Sequence, residues 1–141
     1  MCVSVCARTM ATSPTLAPRK KQRILPLPRV VHEDCIEGMK RIKSNTIRLI
    51  LADPPYGIHV QGAGWDSSKG YQEFATAWLE QAARVLQPGG TLLYFASPCT
   101  IWSSRMNVLL EDRFGLTHVQ TLSWVYTQGS RHSNPLNYLP T

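Results

Sequence analysis

Thr46 to Asp53, TIRLILAD, is a continuous β-branched and aliphatic run of strand length. A run this apolar predicts a strand covered on both faces, as in a parallel sheet. The next patterned stretch has a different period. Tyr71, Phe74, Ala75, Trp78, Ala82 and Val85 share one face at helical spacing, which predicts an amphipathic helix. Gln87-Pro88-Gly89-Gly90 cannot continue it. TLLYFAS, from Thr91, then reads as a second buried strand. Ser97 and Pro98 fit the N-cap and first position of another helix, with Ile101, Trp102, Met106, Leu109 and Leu110 as its apolar face. Gly115 closes that helix, and LTHVQTLSWVYT reads as a third strand. Ahead of the first strand, Ile36, Met39 and Ile42 mark one short helix, ended by Ser44-Asn45. Strand, helix, strand, helix, strand predicts an α/β chain with a mostly parallel sheet on right-handed crossovers. Three or four strands make a narrow sheet for that architecture.

Charge changes the picture at one end only. The net charge of the 141 residues is +6. Arg8, Arg19, Lys20, Lys21, Arg23 and Arg29 precede the first acid, Glu33. From there on, nine acids meet nine lysines and arginines, so the excess is confined to the start of the chain. Residues 1–28 are rich in Pro, Ser and Thr and read as a basic, disordered tail, one able to track phosphates. MATSPTLAPRKKQR, from Met10, reads as an ordinary N-terminus, so that MCVSVCART is expected to be upstream sequence. Residues 29–141 form the expected domain. Cys2, Cys6, Cys35 and Cys99 make no C-x-x-C pair and the four histidines are scattered. Neither a metal site nor a disulfide framework is expected, and reduced thiols suit a cytoplasmic setting. No apolar run reaches the roughly 18 residues of a membrane span.

The chemistry concentrates at the end of the first strand. In open α/β sheets ligands bind beyond the carboxyl ends of the strands, and LILAD delivers Asp53 there. Pro54 and Pro55 have fixed φ and no N–H, but their carbonyls remain acceptors. Tyr56 adds a flat face, and Gly57 lets the backbone turn away. The plain alternative is a stiff turn. As a pocket, the array suits a planar molecule with an NH₂ group, whose hydrogens would go to Asp53 and the Pro54 carbonyl while the ring stacks on Tyr56. The lone pair of such an amine is delocalised into its ring. Two acceptors aimed at its hydrogens localise that pair and favour a transition state with positive charge on nitrogen.

EDCIEGMKRIKSNTIRLILADPPYGI closely resembles the opening of the amino-methylating DNA methyltransferases of the β motif order. RVLQPGGTLLYFAS and LSWVYTQGSRHSNPLNYLPT resemble segments that follow it in that family. The resemblance implies a partial Rossmann-like methyltransferase fold. It implies transfer of a methyl group from S-adenosylmethionine to the exocyclic amine of a flipped DNA base. Asp53, Pro54, Pro55 and Tyr56 match the catalytic motif. Asp34 and Asp53 are the expected cofactor contacts, and Tyr56, Gly57 and Trp65 the expected substrate contacts. Glu33 stands where the family usually has glycine. Adenine N6 is the expected target, because cytosine N4 enzymes more often carry Ser in place of Asp.

Motif order separates the chain from ribosomal RNA guanine methyltransferases, whose glycine-rich cofactor loop precedes the D-P-P-Y motif. Before Asp53 this chain has only Gly38. The β order places an F-x-G-x-G-like loop near the C-terminus, and none occurs before Thr141. Gly62-Ala63-Gly64 reads instead as a flexible loop over the target base. Residues 29–141 are therefore expected to be the catalytic-motif half of a methyltransferase domain, truncated before the cofactor loop. The second function class is a partner subunit or inactive remnant, binding DNA or a complementary methyltransferase chain.

Overall fold

The computed structural model describes residues 2–9, 30–58, 66, 69–98 and 100–124. Within them run β1 (Cys2–Arg8), α1 (Cys35–Lys40), β2 (Ile47–Ala52), α2 (Tyr71–Val85), β3 (Leu86–Ala96), α3 (Trp102–Phe114) and β4 (Leu116–Ser123). The helix–strand alternation from α1 to β4 is the one that the patterning predicts.

Two features depart from it. The sheet order is β2-β3-β1-β4. Only β2 and β3 pair in parallel, while β1 is antiparallel to both β3 and β4. The expectation of a mostly parallel sheet is therefore corrected to a mixed one. The three expected strands do run in one direction; what separates them is β1, inserted between β3 and β4 in the opposite sense. The second correction concerns β1 itself, which lies in the stretch expected to be a disordered tail. CVSVCA alternates with period two, and Cys2, Ser4 and Cys6 are buried while Val3 and Val5 are half-buried. Small residues on the inner face escaped a reading tuned to large apolar ones. Residues 10–28 of the predicted tail lie outside the described residues.

β1 is fastened by more than its two ladders. Tyr94 Oη donates to Asn107 Oδ1 at 2.6 Å, and Asn107 Nδ2 reaches Ser4 Oγ at 3.5 Å. Burial raises the Tyr94 phenol well above its usual pKa. Arg8 Nη1 donates to the carbonyls of Ala83 and Leu86 and to Asn45 Oδ1 at 3.1, 2.6 and 2.7 Å. A cation there also complements the negative end of the α2 dipole. At the same end, Arg84 donates to the carbonyls of Met39 and Ile42, tying α1 to α2.

α2 and α3 pack on one face of the sheet. Trp78 meets Tyr94 edge-on with ring centroids 6.1 Å apart, within a core that includes Leu79, Leu92, Met106 and Leu110. α2 ends at Val85, and β3 starts at once, taking in Gln87–Gly90 with Gly89 at φ 74. Gly90 has no room for a Cβ, which would stand 2.8 Å from the Gln87 carbonyl. α3 begins at Trp102 with Ile101 at its N-cap, so Ser97 does not cap it. Gly115 does end it, in the left-handed region at φ 64.

Among the described residues the other face of the sheet carries no helix and is partly exposed. Ile50 and Ala52 of β2 pack towards the core, whereas Leu49 and Leu51 are 56% and 67% exposed. The prediction that β2 is covered on both faces is thus corrected among the described residues. The register carries the bare strip across the strands, from Leu51 to its partner Leu93 and on to Val5. Beside it run Phe95, Val3 and Leu122. Among the described residues β2 is also an edge strand, paired with β3 alone. Among the described residues no helix is long and apolar enough to cross a membrane.

A chain begun at Met10 would lack β1, leaving β3 and β4 without the strand between them. It is expected to lose the cooperative thermal transition of the full chain, measured by circular dichroism. A cooperative transition within a few degrees of the full chain's would contradict the structural role of β1.

Candidate active site

β2 stays in register with β3 up to Ala52, opposite Tyr94. Asp53 is the first residue beyond it and is exposed. The prolines that follow contribute no donors, so the backbone here offers carbonyls and then, from Tyr56 on, N–H groups. The structure gives partners to the Pro55 carbonyl and to three successive N–H groups. Tyr71, the first residue of α2, donates its hydroxyl to the Pro55 carbonyl at 2.8 Å. Asp66 accepts from three successive N–H groups: Oδ1 from Tyr56 and Gly57 at 2.7 and 2.6 Å, Oδ2 from Ile58 at 3.3 Å. The Pro54 carbonyl has no donor among the described residues.

Packing holds this turn from below. Gly57 is buried at φ 69, and a Cβ on it would lie 2.9 Å from Tyr71 Cδ2 and 3.2 Å from Trp102 Cδ1. Glycine is required here both for its backbone angle and for the close approach of the two rings. Tyr71 and Trp102 themselves pack with centroids 4.9 Å apart. Arg105 lies over the far side of Trp102, 5.0 Å from the ring centroid.

Asp53 and Tyr56 also meet. The Tyr56 hydroxyl donates to Asp53 Oδ1 at 2.5 Å, a contact that the stacking role alone does not predict. It fixes the carboxylate and leaves Oδ2 with no protein donor among the described residues. Behind them is a cavity of about 360 Å³, walled by Met39, Ile50, Pro54, Pro55, Phe74 and Trp78 among others. Trp78 Nε1 is buried without an acceptor. Cys35 reaches this cavity, and next to it Asp34 caps α1, its Oδ1 accepting from Ile36 and Glu37 N–H at 2.9 and 3.0 Å. Glu33 pairs with Arg41. Asp53 lines the cavity on the β2 side, whereas Asp34 is one residue removed from its lining at Cys35. Trp65, and the Gly62–Gly64 segment, lie outside the described residues.

The family model described as DNA methylase, of the N6/N4 type, matches residues 47–140, from the first residue of β2 onward. The chain belongs to the N6/N4 DNA methyltransferase family. It is also 34% identical over 104 residues to the type II methyltransferase M.HpaI of Haemophilus parainfluenzae. That alignment covers 72% of this chain and 32% of the relative, so the chain spans about a third of the length of the methyltransferase it matches.

Two residues that organise this turn, Asp66 and Tyr71, escape a reading centred on D-P-P-Y itself. Tyr71 reads as a helix-face residue. Asp66 stands in a Gly- and Ser-rich loop beside Trp65, which draws the attention. A signal existed, since Asp66 is the sole acid between Asp53 and Glu73. A segment that leaves a proline pair must place several N–H groups, and a lone nearby carboxylate is the natural acceptor.

Burial and the charge of Asp66 push the Tyr71 phenol up to about 12. The folded chain therefore keeps this proton where an unfolded tyrosine, near pKa 10, has lost it. The resulting stability is fully present below about pH 10 and is lost as pH rises through about 12. Tyr71→Phe should flatten the decline of the urea midpoint across this window. Cys6, pushed up to about 11 by burial, and Tyr94 retain the remaining slope. At pH 7 the lost hydrogen bond should lower stability by about 1 kcal/mol.

Proposed function

We propose that this chain is the catalytic-motif part of a DNA methyltransferase that methylates an exocyclic base amine, with adenine N6 as the target. The observation that carries the reading is the selective satisfaction of the motif. The Pro55 carbonyl and the N–H groups of Tyr56, Gly57 and Ile58 are all engaged by the protein. Asp53 Oδ2 and the Pro54 carbonyl, at the carboxyl end of β2, have no protein donor among the described residues. Two open acceptors side by side match the two hydrogens of a planar amine.

The target base would leave the duplex, as enzymes acting on a base atom require, and lie against the Tyr56 ring. Gly57 keeps the backbone beside the base low, and Trp65 is proposed as a second wall. One amine hydrogen goes to Asp53 Oδ2 and the other to the Pro54 carbonyl. The nitrogen lone pair, withdrawn from the ring, then points away from both acceptors. Positive charge developing on that nitrogen is stabilised by the exposed carboxylate, which can take up the proton released afterwards. Asp53 therefore acts as an electrostatic acceptor rather than as a strong base.

S-adenosylmethionine, when bound, supplies the electrophilic methyl group. The residues present fit part of it. Asp34 keeps Oδ2 available to accept from a hydroxyl or amine, and the cavity behind Pro54 and Pro55 offers an apolar wall to a nucleoside. A complementary segment is proposed as the supplier of the rest of the cofactor site.

The bare sheet face favours the same partner. Leu49, Leu51, Leu93, Phe95, Val3 and Val5 form an apolar strip beside the unpaired edge of β2. A segment that adds a strand to β2 and covers the strip would bury this surface and bring the cofactor loop to Asp53.

Asp53→Ala, at an exposed position, should leave the melting temperature unchanged and lower methyl transfer about a hundred- to a thousandfold. The assay is transfer of label from S-adenosylmethionine to DNA, with the complementary segment supplied. Retained transfer would end the role given to Asp53. Leu51→Glu should likewise leave the melting temperature of the chain unchanged but abolish association with that segment, followed by sedimentation. Association undiminished by Leu51→Glu would remove the sheet face as the docking surface.

A further inference from the structure

We infer that Asp66 is a positioning residue of the amine-binding site, acting through the backbone of Tyr56, Gly57 and Ile58; the inference rests on the methyl-transfer reading above. Three N–H groups converge on this carboxylate at 2.7, 2.6 and 3.3 Å, and the residue is 1% exposed. Successive backbone N–H groups in a turn form a natural anion-binding nest. At this burial water cannot replace the acceptor.

The consequence reaches the site in two steps. The Tyr56 N–H bond to Asp66 fixes the backbone from which the Tyr56 ring projects. That ring carries the hydroxyl that donates to Asp53 Oδ1 at 2.5 Å. Asp66 thereby sets both the plane on which a base would stack and the rotation of the carboxylate that would accept its amine. Tyr71 works in the same direction from the opposite side, holding the Pro55 carbonyl at 2.8 Å. With that carbonyl engaged, the Pro54 carbonyl is the one that remains for a ligand. Asp66 touches none of the reacting atoms, and its contribution is geometric.

A neutral amide is a poor substitute. Asparagine has one acceptor oxygen, and its NH₂ would face a backbone N–H, donor against donor. The Oδ1 bonds to Tyr56 and Gly57 could survive, while the Ile58 N–H loses its acceptor. The turn then loosens without emptying the core, because Tyr71 and Trp102 still pack under Gly57.

The test compares wild type, Asp66→Asn and, as a surface control, Asp112→Asn, each as the full chain with the complementary segment supplied. Asp66→Asn should lower kcat about 30-fold, close to 2 kcal/mol at 1.4 kcal/mol per tenfold. KM for DNA should stay within about threefold, since only the transition-state geometry is disturbed. The melting temperature should fall by no more than a few degrees, and Asp112→Asn should behave as wild type. A kcat within about threefold of wild type overturns the inference. So does a loss of kcat that merely tracks the loss of folded protein.

Absence of transfer by the wild type counts against the enzymatic reading, and amide exchange then decides the role of Asp66. Asp66→Asn should speed exchange at Tyr56, Gly57 and Ile58 at least about tenfold, with Leu79 and Leu92 still protected. Unchanged exchange at those three amides overturns the inference.

Discussion

Two adjacent prolines at the end of a strand leave the chain with carbonyls to satisfy and no donors of its own to do it. The arrangement around β2 follows from how that imbalance is resolved. Tyr71 takes the second proline's carbonyl, and Asp66 takes the N–H groups that come after it. The first proline's carbonyl is left over. Because the groups on either side of it are engaged, the Pro54 carbonyl is held in place by the fold. Rigidity and availability together are what recognition of an amino group demands, and the tertiary contacts of the turn supply both.

The same turn depends on the hydrophobic packing beneath it. Gly57 can approach Tyr71 and Trp102 because it lacks a Cβ. Tyr71 opens α2 and Trp102 opens α3, so the two helices that cover the sheet also support the motif from their first residues. α2 in turn is anchored at its far end by Arg8 from β1. The N-terminal strand, the helical layer and the motif are therefore one cooperative structure, although β1 and Asp53 stand far apart in the chain.

Side by side, the two faces of the sheet are unlike. One is closed by α2 and α3 around Trp78 and Tyr94, and on the other, among the described residues, Leu49, Leu51 and Leu122 are exposed and Val3, Val5, Leu93 and Phe95 half-buried. Among the described residues, the exposed leucines of β2 and its unpaired edge adjoin the cavity beside Asp53.

Local patterning determined a great deal. Period-3.6 spacing marked α2 and α3, aliphatic runs marked β2 and β3, and Gly115 ended α3 where its left-handed backbone required. The D-P-P-Y motif was legible because its chemistry is held in four consecutive residues at a predictable strand end. Pairing was not legible. Nothing in CVSVCAR says that it will insert between two strands more than 80 residues away, because partner choice is settled by which ladder and which inner face are left open. The burial of β2 misled for a related reason: an aliphatic run reports what a strand could be covered by, not what covers it. Asp66 shows the limit most clearly. Its residue type and spacing mark it only as a loop acid, and three backbone donors acquire their acceptor only when the chain doubles back. Sequence determined the elements and the acceptor motif, whose causes are local; tertiary structure decided their order, their open face and the residue that holds the motif still, because those depend on contacts between segments remote in the chain.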